Sequence, residues 1–264
     1  MRIVSGFGHN YAVLVAPSMF FKNYRHTANI LEIYRFLKQH DFPDENIILM
    51  LSGEIDVDNR NPNMPSIIGE NNPNVDLMKD VQVDYYGSEV TLDTFENVLL
   101  NKMNSSISFY RQLHSDANRE GFFKFRETED LTTKHLSMIL NEMYILKRYK
   151  HILLFLDTCQ SSSLQQYPFP PNILSISSST SPESSYSYGY NRQLGVTLTD
   201  QFTYYLLQAL QSKQYSTLTI HQLITYYLSP NIQSTPNVVS TIQKPYTMIK
   251  LSSFFSFKLK IKFV

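Results

Sequence analysis

Residues His151–Gln160 read HILLFLDTCQ. The unbroken apolar run from Ile152 to Leu156 marks a central strand covered on both faces, because a half-exposed strand would alternate. Its close, Asp157-Thr158-Cys159-Gln160, puts a thiol two residues past the strand's carboxyl end. Open α/β sheets collect their ligands and reactive groups at that end. Upstream, Tyr11–Val15 (YAVLV) reads as a second central strand. Arg25–Gln39 follows as a helix, with Ala28, Leu31, Tyr34 and Leu37 sharing one face. Pro43 and Asp44 interrupt the chain, and Ile47–Leu51 (IILML) supplies another buried strand, which completes a βαβ unit.

The same alternation continues along the chain and sets the class as α/β. Ser52–Asn74 is rich in Asn, Pro, Asp and Gly and reads as a surface loop. Val81–Thr91 alternates as a hairpin does, and Thr91 is placed to cap a helix running to Leu100. Thr132 or Thr133 caps the next helix, whose buried side takes Leu136, Leu140, Met143 and either Ile145 or Leu146. Beyond His151–Asp157, Asn172–Ser177 is a weaker strand. Ser178–Tyr190 has the composition of a mobile, solvated loop. Thr197–Leu210 reads as an amphipathic helix, and Ile220–Leu228 as a shorter one.

Composition narrows the function. The 264 residues are 42% hydrophobic, enough for a sizeable core. Lys plus Arg (23) cancel Asp plus Glu (23), so no global field draws in nucleic acid. No apolar run approaches the ~20 residues that cross a bilayer, and MRIVSGFGHN has no leader-like apolar core. A single cysteine excludes an internal disulfide framework and a multi-cysteine zinc site. Dinucleotide, P-loop, zincin and serine-hydrolase motifs are missing, which leaves Cys159 as the reactive group to explain. A thiol works as a nucleophile when a histidine takes its proton and a third group holds the imidazole. His26 and His40 flank a helix, and they, His135, His151 and His221 read as surface or capping residues. His114 follows Ile107–Tyr110, a short strand candidate, and precedes a polar loop, so it is the better-placed base.

Several segments are similar to the legumain-like (C13) cysteine peptidases, in particular to their glycosylphosphatidylinositol (GPI) anchor transamidase group. They include NYAVLVAPSMFFKNYRHTANILEIYR, FPDENIILML, VDYYGSEVTLDTFENVL, FFKF, RYKHILLFLDTCQ, PNILSISSS, ESSYS and TDQFTYYLLQAL. The most specific are NYRH and DTCQ. The resemblance implies one caspase-like domain over 1–264, a three-layer α/β sandwich with a mostly parallel central sheet. It implies Cys159 as nucleophile, Asn23 as the residue that orients the catalytic histidine, and Arg25 as a lining of the substrate pocket. It also implies a structural calcium on Asp44, the Ile47 carbonyl and Asp84, with no cofactor needed for the chemistry.

The implied activity is cleavage of a proprotein's C-terminal signal and transfer of the acyl group to a GPI lipid amine. The setting would be a multi-subunit transamidase complex on the lumenal side of the endoplasmic reticulum membrane. A legumain-like endopeptidase and an inactive scaffold or binding subunit are the alternatives. This sequence departs from the family in three places. Gln82 stands where a calcium-binding glutamate is expected, and Val57 where some members carry a cysteine that bonds a partner subunit. The Thr-Gly-His-Gly-Gly turn that carries the family's histidine is missing. One alignment puts SISFYRQLH on the strand before that turn and His114 on the histidine, with Ser115 and Asp116 replacing two glycines. The other matches RQLHSDANR to the preceding linker, so that strand, turn and histidine are deleted near 104–121.

Overall fold

A computed structural model of the chain describes residues 2–6, 9–102, 122–125 and 128–255. Its centre is a seven-stranded sheet. β1 (Arg2–Gly6), β2 (His9–Ala16), β3 (Ile47–Leu51), β4 (Tyr85–Tyr86), β7 (His151–Leu156), β8 (Ile173–Ser177) and β11 (Asn237–Ser240) lie in the order β11-β8-β7-β1-β2-β3-β4. The pairs β2–β3, β3–β4 and β7–β8 are parallel. β1 runs against both β2 and β7, and β11 against β8. The two halves of the sheet therefore point the same way, with β1 and β11 reversed.

Two cores separate the layers. α1 (Tyr24–Gln39) and α4 (Gln201–Leu210) cover one face, where Leu14, Leu49, Leu153 and Ile176 meet Leu31, Leu37, Phe202 and Leu206. On the other face α2 (Leu92–Leu100) and α3 (Thr133–Ile145) pack Phe95, Leu99, Leu136 and Leu140 against Val13, Met50, Ile152 and Leu154. Alternate residues of β2 and β7 thus serve opposite layers, as an α/β sandwich requires. A small ribbon, β5 (Phe122–Phe125) with β6 (Glu129–Thr132), leads into α3. Thr91 caps α2 by accepting the Thr94 amide, and Thr132 caps α3 by accepting that of His135.

Four expectations are corrected. Val81–Thr91 is not a hairpin: only Tyr85–Tyr86 is extended, and it joins the sheet edge beside β3 before Gly87 turns the chain at φ 57°. Thr197–Leu210 is not one helix, because Val196–Asp200 is β10, paired with β9 (Ser187–Asn191), and α4 starts only at Gln201. Periodicity within Phe202–Ala209 concealed that switch. Ser178–Tyr190 is a solvated loop only in its middle: Ser178 and Ser179 are fully buried, Ser181, Pro182, Ser184 and Tyr186 are exposed, and β9 begins at Ser187. Neither Ile145 nor Leu146 is buried: both project from the end of α3, 67% and 50% exposed. Among the described residues no helix is long and apolar enough to cross a membrane.

Candidate active site

Cys159 is exposed, three residues beyond the end of β7. The loop that carries it is built from buried hydroxyls. At the end of β8, the Ser178 and Ser179 hydroxyls donate to the Thr158 carbonyl at 3.2 and 3.0 Å. The Ser161 hydroxyl donates to the Ser179 carbonyl at 3.2 Å, and the Ser161 and Ser179 amides each find a serine oxygen. Gln160 takes the left-handed conformation at φ 54°, and its amide donates to the Glu183 carbonyl at 2.8 Å. This tight turn starts the short helix Ser161–Gln165 and leaves the thiol outward, 3.8 Å from the Ser185 carbonyl. Serines suit the position because each satisfies buried backbone groups with little volume.

A cavity of about 720 Å³ opens beside the thiol. β1 separates β2 from β7 only as far as Val13 and Leu154, and Val15 and Leu156, beyond it, line the space. Most of the wall is apolar, from Phe95, Phe125, Leu136 and Leu206 among others. The polar part is a network around two acids. Arg25 Nε donates to Asp200 Oδ1 at 2.8 Å, and Asn29 Nδ2 donates to Asp200 Oδ2 at 2.7 Å. Asn29 in turn accepts the Thr199 hydroxyl and the Asp200 amide. Asp157 accepts hydroxyls from Ser185 at 3.0 Å and Thr203 at 2.8 Å. The His26 ring has Nδ1 at 2.7 Å from the Ser18 hydroxyl and Nε2 at 3.9 Å from Asp200.

Electrostatics divides the labour between these groups. Burial pushes both carboxyls up, and the Asp200 charge raises Asp157 further. Arg25 and Asn29 oppose the shift at Asp200, whereas only hydroxyls oppose it at Asp157. His26 is pushed down to about 4 by desolvation and then by the Arg25 cation, so it is neutral at physiological pH. The result is a fixed cation, two carboxyls pushed up and a neutral imidazole beside an apolar space. Such a pocket can orient an amide or a polar side chain next to the sulfur.

The predicted residues fall in different places. Arg25 reaches the network through Asp200, a wall of the cavity. Asn23 stands at the N-cap position of α1 without a side-chain capping bond. His114 lies outside the described residues. Asp44, Ile47 and Asp84 surround the start of β3, away from the thiol. There Asp44 accepts the Tyr34 hydroxyl on one oxygen and Lys38 Nζ at 2.8 Å on the other, and Asp84 accepts the Leu49 amide at 2.8 Å. Among the described residues no group of three or more His, Cys, Asp or Glu side chains could hold a metal. Two carboxylates already engaged and the neutral Gln82 do not fit a tightly held calcium.

Sequence reasoning missed His26, Asn29, Asp157, Asp200 and Thr203 as one network. His26, read as a surface or capping residue, lines the cavity instead. The available signal was strand-end position: Asp157 follows β7 and Asp200 closes β10, but Asp200 was hidden inside a single expected helix.

The sheet thus presents an exposed thiol just past the carboxyl end of a central strand, beside a cavity with charged groups in its wall, where open α/β sheets collect their ligands. Residues 10–227 match the model of the Peptidase C13 family, and the chain belongs to that family. It is 36% identical over 239 residues to a GPI-anchor transamidase of Saccharomyces cerevisiae, an alignment covering 86% of this chain and 58% of that protein. The Schizosaccharomyces pombe GPI-anchor transamidase is 36% identical over 247 residues, 87% of this chain and 64% of the relative. That of Homo sapiens is 35% identical over 219 residues, 78% and 55%. The chain thus spans less than two thirds of the length of these relatives.

Proposed function

We propose that this chain is the catalytic subunit of a GPI-anchor transamidase, working within a membrane complex on the lumenal side of the endoplasmic reticulum. The observation that carries the reading is Cys159, exposed on its hydroxyl-pinned turn beside the largely apolar cavity with its acid network, in a C13 chain whose relatives bear that name. The Cys159 sulfur attacks the carbonyl carbon at the proprotein's attachment site. The carbon–nitrogen bond breaks, the departing amine of the C-terminal signal takes a proton, and a thioester remains. The amine of a GPI lipid then attacks that carbonyl, forms the new amide and returns the thiol. No metal or organic cofactor enters these steps.

His114 is the proposed base and proton donor, and Asn23, at the mouth of α1, the group that orients its ring. An unassisted thiol, with pKa near ~8.5, is only a few per cent ionised at neutral pH, so the base matters for both steps. Arg25 holds Asp200, and with it the polar floor on which the attachment residue rests. Calcium binding by Asp44, Asp84 and the Ile47 carbonyl is proposed as weak, because Gln82 contributes no charge.

Complementation of cells lacking their own enzyme tests the proposal. Cys159→Ala abolishes GPI anchoring, and His114→Ala reduces it by about 10²-fold or more. If both variants anchor normally while removal of the protein does not, the chain is a scaffold and the proposal fails. Loss with Cys159→Ala alone selects the deletion alignment and another base. Release of the signal with water as the only acceptor identifies an endopeptidase.

A further inference from the structure

α3 ends in a tight turn. The Arg148 amide donates to the Met143 carbonyl at 2.8 Å and the Lys147 amide to that of Tyr144 at 3.0 Å, with Lys147 left-handed at φ 53°. Just beyond, Tyr149 is buried and its hydroxyl donates to the Pro171 carbonyl at 3.1 Å, which fastens the turn to the fold. On this support Ile145 and Leu146 project into water, 67% and 50% exposed, and Tyr144, 41% exposed, has its ring centroid 6.2 Å from that of Tyr149. Lys147, Arg148 and Lys150, beside them, are exposed as well. The nearby Glu142 is engaged by Lys102 at 2.6 Å. Cations past a helix C-terminus complement its dipole. That accounts for the charges but not for three large apolar side chains projecting next to them.

The geometry points to a membrane-contact face: Tyr144, Ile145 and Leu146 enter the interfacial layer of an anionic bilayer, and Lys147, Arg148 and Lys150 meet its headgroups. Apolar side chains flanked by cations are the combination that binds such surfaces. A protein partner fits less well. Two of the three cations are lysines, a residue depleted from protein interfaces, and the apolar side chains project outward from a helix end. The chain's net charge is zero, so the attraction belongs to this face and not to the molecule as a whole.

The position also suits the proposed function, on which this one step rests. The face adjoins the start of β7 and Cys159 lies past its end, so the strand's six residues separate the thiol from the face by up to about 20 Å. The spacer between attachment site and hydrophobic tail in GPI signals is about 8–12 residues, which extends to about 25–40 Å. A proprotein can reach Cys159 while its tail stays in the bilayer.

Flotation of the full chain with phosphatidylcholine vesicles, with and without about 30% phosphatidylserine at about 0.15 M salt, tests the face. Binding that requires phosphatidylserine is expected. Lys147→Ala with Arg148→Ala lowers it about 25-fold, at about fivefold per cation. Ile145→Ser with Leu146→Ser lowers it at least about tenfold. Thermal unfolding stays unchanged in both, because the replaced side chains are exposed. Cys159→Ala floats like the wild type, so failure of the transamidase proposal leaves this test intact. No phosphatidylserine-dependent flotation, or flotation that survives both double variants, overturns the inference. So does loss of anchoring in cells by the double variants with vesicle binding unchanged, which assigns the face to a protein partner.

Discussion

Removing Arg25 while keeping its volume, as Arg25→Met, leaves the Asp200 carboxylate in place without its cation. The Asp200 side chain is 7% exposed and that of Arg25 is 25% exposed, with 2.8 Å between Nε and Oδ1. Orphaning one member of a fully buried pair costs about 3–5 kcal/mol. Water around Arg25 and the surviving Asn29 bond to Asp200 reduce that to about 2 kcal/mol. For a chain of this length each kcal/mol lowers Tm by about 2–4 °C, so a fall of about 4–8 °C is expected at pH 7.5. The sign with pH follows from linkage. Without the guanidinium the Asp200 pKa rises further above its unfolded value, so the penalty is largest where Asp200 is ionised and shrinks as acid protonates it. Thermal unfolding of wild type, Arg25→Met, Asp200→Asn and the double variant, at pH 5 and 7.5, measures both effects. The double variant should recover about 1 kcal/mol relative to additive losses, because no charge is left unpaired. A Tm for Arg25→Met within about 1 °C of wild type at pH 7.5 refutes the reasoning, as do strictly additive losses.

Asp157 and His26 should impose opposite pH slopes. A raised carboxyl contributes stability at acid pH that is lost as pH rises through its folded value; a lowered histidine contributes stability at neutral pH that is lost as pH falls towards about 4. Asp157→Asn therefore gains Tm relative to wild type as pH rises from about 4.5 to 7, and His26→Gln gains as pH falls; slopes of one sign in both contradict the assignment. Ser178→Ala removes one of two donors to the Thr158 carbonyl and the acceptor of the Thr158 amide, and should cost about 1–3 kcal/mol by urea unfolding, despite its loop-like sequence context. Millimolar calcium should move Tm by less than about 1 °C in the wild type and raise it in Gln82→Glu; a large shift in the wild type would show that two engaged carboxylates suffice.

Where burial is continuous, the fold is legible in the sequence. Ile47–Leu51 and His151–Leu156 are strands because uninterrupted aliphatic runs bury both faces, and Tyr24–Gln39 is a helix because Ala28, Leu31 and Leu37 recur on one side. Legibility fails where polar residues are buried. Ser178 and Ser179 have loop composition, yet they are core residues that fasten the cysteine turn, and only three-dimensional hydrogen bonding reveals it. Asp200 failed for another reason: strand and helix adjoin there without a breaker, and the helical period of Phe202, Leu206 and Ala209 invites extension back over Thr197–Asp200. Ile145 and Leu146 continue the apolar pattern of α3 but lie at its C-terminal end, 67% and 50% exposed, so the pattern overstates burial. Among the site residues, Cys159 is visible from its strand-end position. The partners of Asp157, by contrast, come from 28 and 46 residues away.

Trapping the covalent intermediate decides whether Cys159 does the chemistry. Membranes from cells that express the full chain are incubated with a proprotein substrate, with hydrazine as a small amine acceptor, and analysed by mass spectrometry of the peptide containing Cys159. The account predicts an acyl mass on that peptide, its discharge by hydrazine to the hydrazide product, and loss of both with Cys159→Ala. Hydrazide formation at an undiminished rate by Cys159→Ala would contradict it.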